Sequence, residues 1–134
     1  FKLKDKITTY ANIGTHGIDG CLSSFLGQSA ANPDKQAFLI IGDLAYFYDM
    51  NATRLKNISK NVHVLLINNE GGSEFYYNKI WQDEHSDLHT TARHHTTAKG
   101  WVESNNFKYI SAHDKNSFEN ILLFRKNNNN FLKR

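Results

Sequence analysis

The hydrophobic pattern is sharpest in two short apolar runs, Ala37–Ile41 (A-F-L-I-I) and Val62–Ile67 (V-H-V-L-L-I). Runs of this length predict strands, and their nearly continuous apolar character predicts burial on both faces, as in a parallel sheet. Each run ends in small or oxygen-bearing residues: Gly42-Asp43 after the first, Asn68-Asn69 after the second. Between them, Leu44–Ile58 carries Phe47, Met50 and Leu55 at helical spacing, which makes the whole stretch a βαβ unit. Ligands of open parallel sheets collect at the carboxyl ends of strands. A carboxylate at one strand end and an amide at the next are therefore the first candidates for a site.

The flanking chain extends the alternation. Ile7–Ile13 is rich in β-branched and aromatic residues and predicts a first strand. Gly14, Gly17 and Gly20 follow at intervals of three, a turn that allows unusual backbone angles and close approach of a ligand. Asp19 is a helix-cap candidate for Cys21–Ala31, whose Leu22, Phe25 and Leu26 are helix-spaced, and Asn32-Pro33 stops that helix. Asn69–His85 shows no period and predicts a long loop. Asp87–Ser104 predicts a helix, Phe107–Ser111 a strand, and Lys115–Lys126 a helix with Phe118, Ile121, Leu122 and Phe124. The polar run from Asn127 makes residues 127–134 a flexible tail beyond a domain of residues 1–126. The order β-α-β-α-β-loop-α-β-α predicts the α/β class: a three-layer αβα domain built on a parallel sheet.

Composition narrows the partners. A chain of 134 residues, 40% hydrophobic and 13% aromatic, can fill one core and is not disordered as a whole. The net charge of +3 is scattered, which gives no nucleic-acid footprint. No apolar stretch is long enough to span a membrane, and no signal peptide opens the chain. The single Cys21 excludes an internal disulfide and fits a cytoplasmic protein. The chain opens on Phe1, so the expectation is a piece excised from something larger.

Asp43 alone reads more readily as a helix cap than as a ligand. Paired with Asn69 at the next strand end it becomes part of a hard-oxygen set, suited to Mg²⁺ rather than to a soft metal. The glycine turn has the spacing Gly-x-x-Gly-x-x-Gly, which is not the dinucleotide fingerprint. His16, inside that turn, is a candidate for proton transfer against the plainer reading of a polar surface residue. His85, His89, His94 and His95 gather about the expected helix over 87–104. His85 and His89 share a spacing that can bind zinc, but no third ligand is placed, so a solvated histidine face is expected. Glu70 and Glu74 read as exposed loop carboxylates.

Taken together, Gly42-Asp43-Leu44 and Asn68-Asn69 with Gly71-Gly72 resemble the cofactor motif of thiamine-diphosphate (ThDP) enzymes. With Gly17-Ile18-Asp19-Gly20 and Tyr48-Asp49-Met50-Asn51, the stretch from Asn12 to Gly72 is most similar to the decarboxylating synthases of menaquinone biosynthesis and their acetolactate-synthase-like relatives. The resemblance implies a diphosphate-binding domain. Asp43, Asn69 and the Gly71 carbonyl would hold Mg²⁺. Gly17, Ile18, Gly42, Leu44, Ala45 and Gly72 would line the cofactor, with the Leu44 and Ala45 amides on phosphate oxygens and Ile18 holding ThDP bent. It also implies a separate pyrimidine-binding domain that carries the activating glutamate, a homo-oligomer, and a 2-oxo acid substrate. The isolated chain is expected to be inactive. One position departs from the pattern: Ile13 stands where those synthases carry an arginine for their acidic substrate, so a different acceptor is equally in view. The rival readings are a non-catalytic phosphate- or nucleotide-binding α/β module and an interaction domain that has lost its cofactor.

Overall fold

The computed structural model describes residues 7–14, 17–77, 84, 85 and 89–127. Its elements are α1 (Cys21–Ala30), β1 (Ala37–Gly42), α2 (Asp43–Tyr48), a 3₁₀ turn (Met50–Arg54), β2 (Val62–Ile67), α3 (Ser73–Tyr77), α4 (Lys99–Ser104) and α5 (Lys115–Asn127). The chain is of the α/β class. β1 and β2 pair in parallel, in a register that runs from Ala37 opposite Val62 to Gly42 opposite Ile67. The two strands therefore end level, and Asp43 and Asn68 leave the same edge of the sheet side by side.

The core forms on one face of this sheet. Leu22, Leu26, Ile41, Tyr46 and Ala98 are buried, with Leu39, Val62, Val64 and Leu66 packed against them. Complete burial of a leucine such as Leu22 contributes about 1.5–3 kcal/mol. Buried Asn61 braces the amino ends of the strands. Its side-chain oxygen accepts from the Ser29 and Ser59 hydroxyls, and its amide donates to the carbonyls of Asn32 and Lys35. That one residue ties the end of α1, the loop after it and the start of β2 together.

The sequence pattern misplaces several elements. Ile7–Ile13 forms no strand, and its side chains are exposed. Phe107–Ser111 is likewise without strand pairing. The sheet has two strands among the described residues, so the expected burial on both faces is not seen there. Phe38 and Ile40 are 67% and 73% exposed on the outer face, with Leu65 and Ile67 beside them. An apolar run records that a residue can be buried; its covering comes from other segments.

The helix expected over 44–58 breaks at Asp49. The Asp49 carboxylate accepts from both the amide and the hydroxyl of Ser23, at 2.7 and 2.8 Å, and so turns the chain toward α1. This takes the place of the expected Asp19 cap, since α1 has no side-chain cap of its own. Within the helix expected over 87–104, His89 is helical, 90–98 is not, and a new helix opens at Lys99. Paired threonines at 90–91 and 96–97 are poor helix formers, and 92–97 runs without helix beside the loop that follows β2. α3 lies within the stretch expected to be loop, while the tail at 128–134 lies outside the described residues.

Candidate functional site

The level strand ends bring Asp43 and the 68–72 loop together. Asp43 opens α2 and is 2% exposed. Its Oδ2 accepts from the Gly71 amide at 3.0 Å and its Oδ1 from the Leu44 amide at 2.7 Å. Those contacts offset the cost of enclosing a carboxylate. They also engage the Leu44 amide with Asp43 itself.

The loop is shaped for this approach. Asn68 Oδ1 accepts from the Glu70 amide, and Glu70 and Gly71 both have positive φ, 66° and 140°. A Cβ on Gly71 would stand 2.7 Å from the Thr91 carbonyl oxygen, so only glycine fits. One terminal atom of the Asn69 amide lies 2.6 Å from Ser73 Oγ. The other lies 2.8 Å from the Gly71 carbonyl oxygen and 3.2 Å from Asp43 Oδ2. Asp43, Asn69 and Gly71 therefore converge, through groups that are far apart in the sequence. Gly72 sits at the start of α3, and its amide donates to the Thr91 carbonyl at 2.7 Å. Gly42 is the last residue of β1 and Ala45 lies within α2.

Residues 91–96 line the other side of this loop. His94 donates its backbone amide to the Glu70 carbonyl, and the Asn68 amide group donates to the Thr96 carbonyl at 2.8 Å. With the Gly72–Thr91 bond, these contacts run antiparallel along the loop and hold it against Asp43. The His94 ring reaches Asp43 itself, with Nε2 3.3 Å from Oδ2, and packs edge-on against Phe47. The expectation of a solvated histidine face is thus corrected for His94, whose side chain is 16% exposed. His95 is exposed and meets Glu70, and His85 and His89 touch edge to face in an exposed position. Helical periodicity could not locate His94, because it lies on an irregular segment outside any helix. Its signal is the threonine-rich run around it.

Gly17 and Ile18 lie on the stretch before α1, and Ile18 is 44% exposed. No hydrogen bond joins either of them to Asp43, Asn69 or Gly71 among the described residues. His16 lies outside those residues. Among them, no three His, Cys, Asp or Glu side chains cluster as a metal site, so any cation here would rest on amide and carbonyl oxygens beside Asp43.

No family-wide sequence profile matches the chain. Individual curated proteins do. It is 40% identical over 124 residues to the 2-succinyl-5-enolpyruvyl-6-hydroxy-3-cyclohexene-1-carboxylate synthase of Phocaeicola vulgatus, covering 91% of this chain and 22% of that protein. It is 42% identical over 111 residues to the synthase of the same name from Bacteroides thetaiotaomicron, covering 81% of this chain and 20% of that protein. The synthase of Lysinibacillus sphaericus is 46% identical over 74 residues, 53% of this chain and 12% of that protein. The chain is homologous to one part of these synthases. It spans about a fifth of the length of the curated relatives it matches. The synthases are those to which the Gly42-Asp43 and Asn68-Asn69 motifs pointed, and the likeness reaches well past Gly72, where the motifs end. Among the described residues, no helix is long and apolar enough to cross a membrane.

Proposed function

We propose that this chain is the Mg²⁺- and diphosphate-binding part of a ThDP-dependent synthase that decarboxylates a 2-oxo acid and joins the remaining carbon unit to an acceptor. The observation that carries the reading is the Asn69 amide atom lying 2.8 Å from the Gly71 carbonyl and 3.2 Å from Asp43 Oδ2. As nitrogen, that atom donates to both. As oxygen, it completes a face of three oxygens. Octahedral Mg²⁺ with ligands at about 2.1 Å sets neighbouring oxygens about 3.0 Å apart, which matches both separations. A half-turn of the amide would therefore convert the closed site into a cation site. The diphosphate would supply further oxygens, and its negative charge requires the cation.

Bound there, ThDP would supply the carbanion chemistry. This chain would fix the cation, anchor the diphosphate through it and offer Gly42, Leu44, Ala45 and Gly72 along the cofactor's phosphate end. Gly17 and Ile18 would meet its remaining length. A pyrimidine-binding domain, from the same polypeptide or across a homo-oligomer, would contribute the activating glutamate, so the chain alone would not turn over. Ile13 leaves the identity of the acceptor open between the relatives' substrate and another.

Calorimetry tests the reading. ThDP is expected to bind only with Mg²⁺ or Mn²⁺, and to raise the thermal midpoint where ATP and NAD do not. Binding that persists in EDTA or in Asp43→Ala would overturn the cation assignment. Stabilisation by ATP instead would favour a nucleotide-binding module.

A further inference from the structure

We infer that His94 is a positioning residue for Asp43, holding the carboxylate in place by donating an Nε2–H hydrogen bond toward Oδ2. The inference rests on the cation site proposed above. Its first support is the tautomer. Nδ1 of His94 accepts from the Thr96 amide at 3.0 Å, so Nδ1 is unprotonated and the ring proton sits on Nε2. Its second is enclosure. Nε2 is shut off from solvent and has no aligned hydrogen-bond partner, and Asp43 Oδ2 stands 3.3 Å away. A buried donor facing a buried carboxylate needs only a small ring rotation to complete a bond, and leaving it unmade is costly. The third is fixation of the ring. It lies edge-on to Phe47 of α2 with centroids 5.4 Å apart, and its own backbone is tied to Glu70.

The contact is therefore one between a neutral imidazole and a carboxylate. With Nε2 protonated, His94 is not itself a metal ligand at that atom. It acts through Asp43, whose Oδ2 both the Gly71 N–H and the His94 Nε2–H face, at 3.0 and 3.3 Å. Partners of this kind set the orientation of a ligating carboxylate, and their loss typically weakens metal affinity by about 10- to 100-fold.

Mn²⁺ binding followed by electron paramagnetic resonance, with ThDP present and the full chain, tests the role. His94→Phe keeps a ring against Phe47 and removes the donor; it is expected to weaken Mn²⁺ binding about tenfold or more. His94→Gln returns a donor at similar reach and is expected to restore most of the affinity. Equal affinity of His94→Phe and the native chain would overturn the role, as would failure of His94→Gln to rescue at an unchanged thermal midpoint. A native chain that binds no Mn²⁺ would remove the cation reading and this role with it, whereas native binding with an unaltered His94→Phe removes only the role. Nitrogen-15 shifts of the imidazole give a readout that needs no metal: protonation at Nδ1 would also overturn it.

Discussion

The Gly71 amide donates to Asp43 Oδ2 at 3.0 Å, across 28 residues of sequence. The bond joins the ends of two adjacent parallel strands and makes Asp43 at once a structural acceptor and the only anionic group proposed as a cation ligand. The two roles can be separated. Asp43→Asn keeps one of the two acceptors, enough for the Gly71 amide, and turns its NH2 toward the Leu44 amide; it is expected to cost less stability than Asp43→Ala while abolishing Mg²⁺-dependent ThDP binding. Asp43→Ala also strands the buried Gly71 donor, at a cost of about 1–3 kcal/mol. Urea unfolding and calorimetry on both variants check the pair; equal ThDP affinity in Asp43→Asn would contradict it.

Gly71→Ala combines a φ of 140° with a Cβ 2.7 Å from the Thr91 carbonyl oxygen. Both the backbone and the antiparallel contact with 91–96 must yield. A loss of about 1–3 kcal/mol is expected, with faster amide exchange at Gly72 and His94, whose bonds lie along that contact. Unchanged exchange at those two amides would show that the loop does not depend on the close approach.

Asn61→Ala removes an acceptor for two hydroxyls and a donor to two carbonyls in a buried position. The expected loss is about 2 kcal/mol or more, since several partners are left unpaired together. Asn61→Asp keeps the acceptor and loses the donor, so it too should destabilise. Chemical denaturation of both variants measures this, and a stable alanine variant would mean that water replaces the brace.

Tyr46 gives a pH dependence. Burial pushes its hydroxyl up to about 12, against a smaller lowering by the nearby Thr53 hydroxyl. The unfolded chain then loses this proton near pH 10 while the folded chain keeps it, so the folded state binds more protons between the two values. The contribution is fully present below about pH 10 and is lost as pH rises toward 12. The Tyr46 hydroxyl makes no aligned hydrogen bond, so Tyr46→Phe should be close to neutral in stability at pH 7. Relative to the native chain it should gain stability between pH 10 and 12. Parallel stability curves for the two proteins across that range would contradict the burial of the hydroxyl.

Local information was enough for the centre of this protein. Val62–Ile67 is a strand with the bounds its apolar run marks, and Ala37–Gly42 differs by one residue. Because parallel pairing sets these strands level, the residues that punctuate them in the sequence, Asp43 and Asn69, become neighbours in space. The motif was legible for that reason: its spacing encodes one crossover. The tertiary structure decided what no local pattern carries. Asp49 broke the expected helix because its carboxylate met Ser23, and Ile7–Ile13 stayed unpaired because strand propensity supplies no partner. His94 came to Asp43 because 91–96 pairs with the 68–72 loop, and two of the three bonds that hold it there join backbone groups, which every residue has.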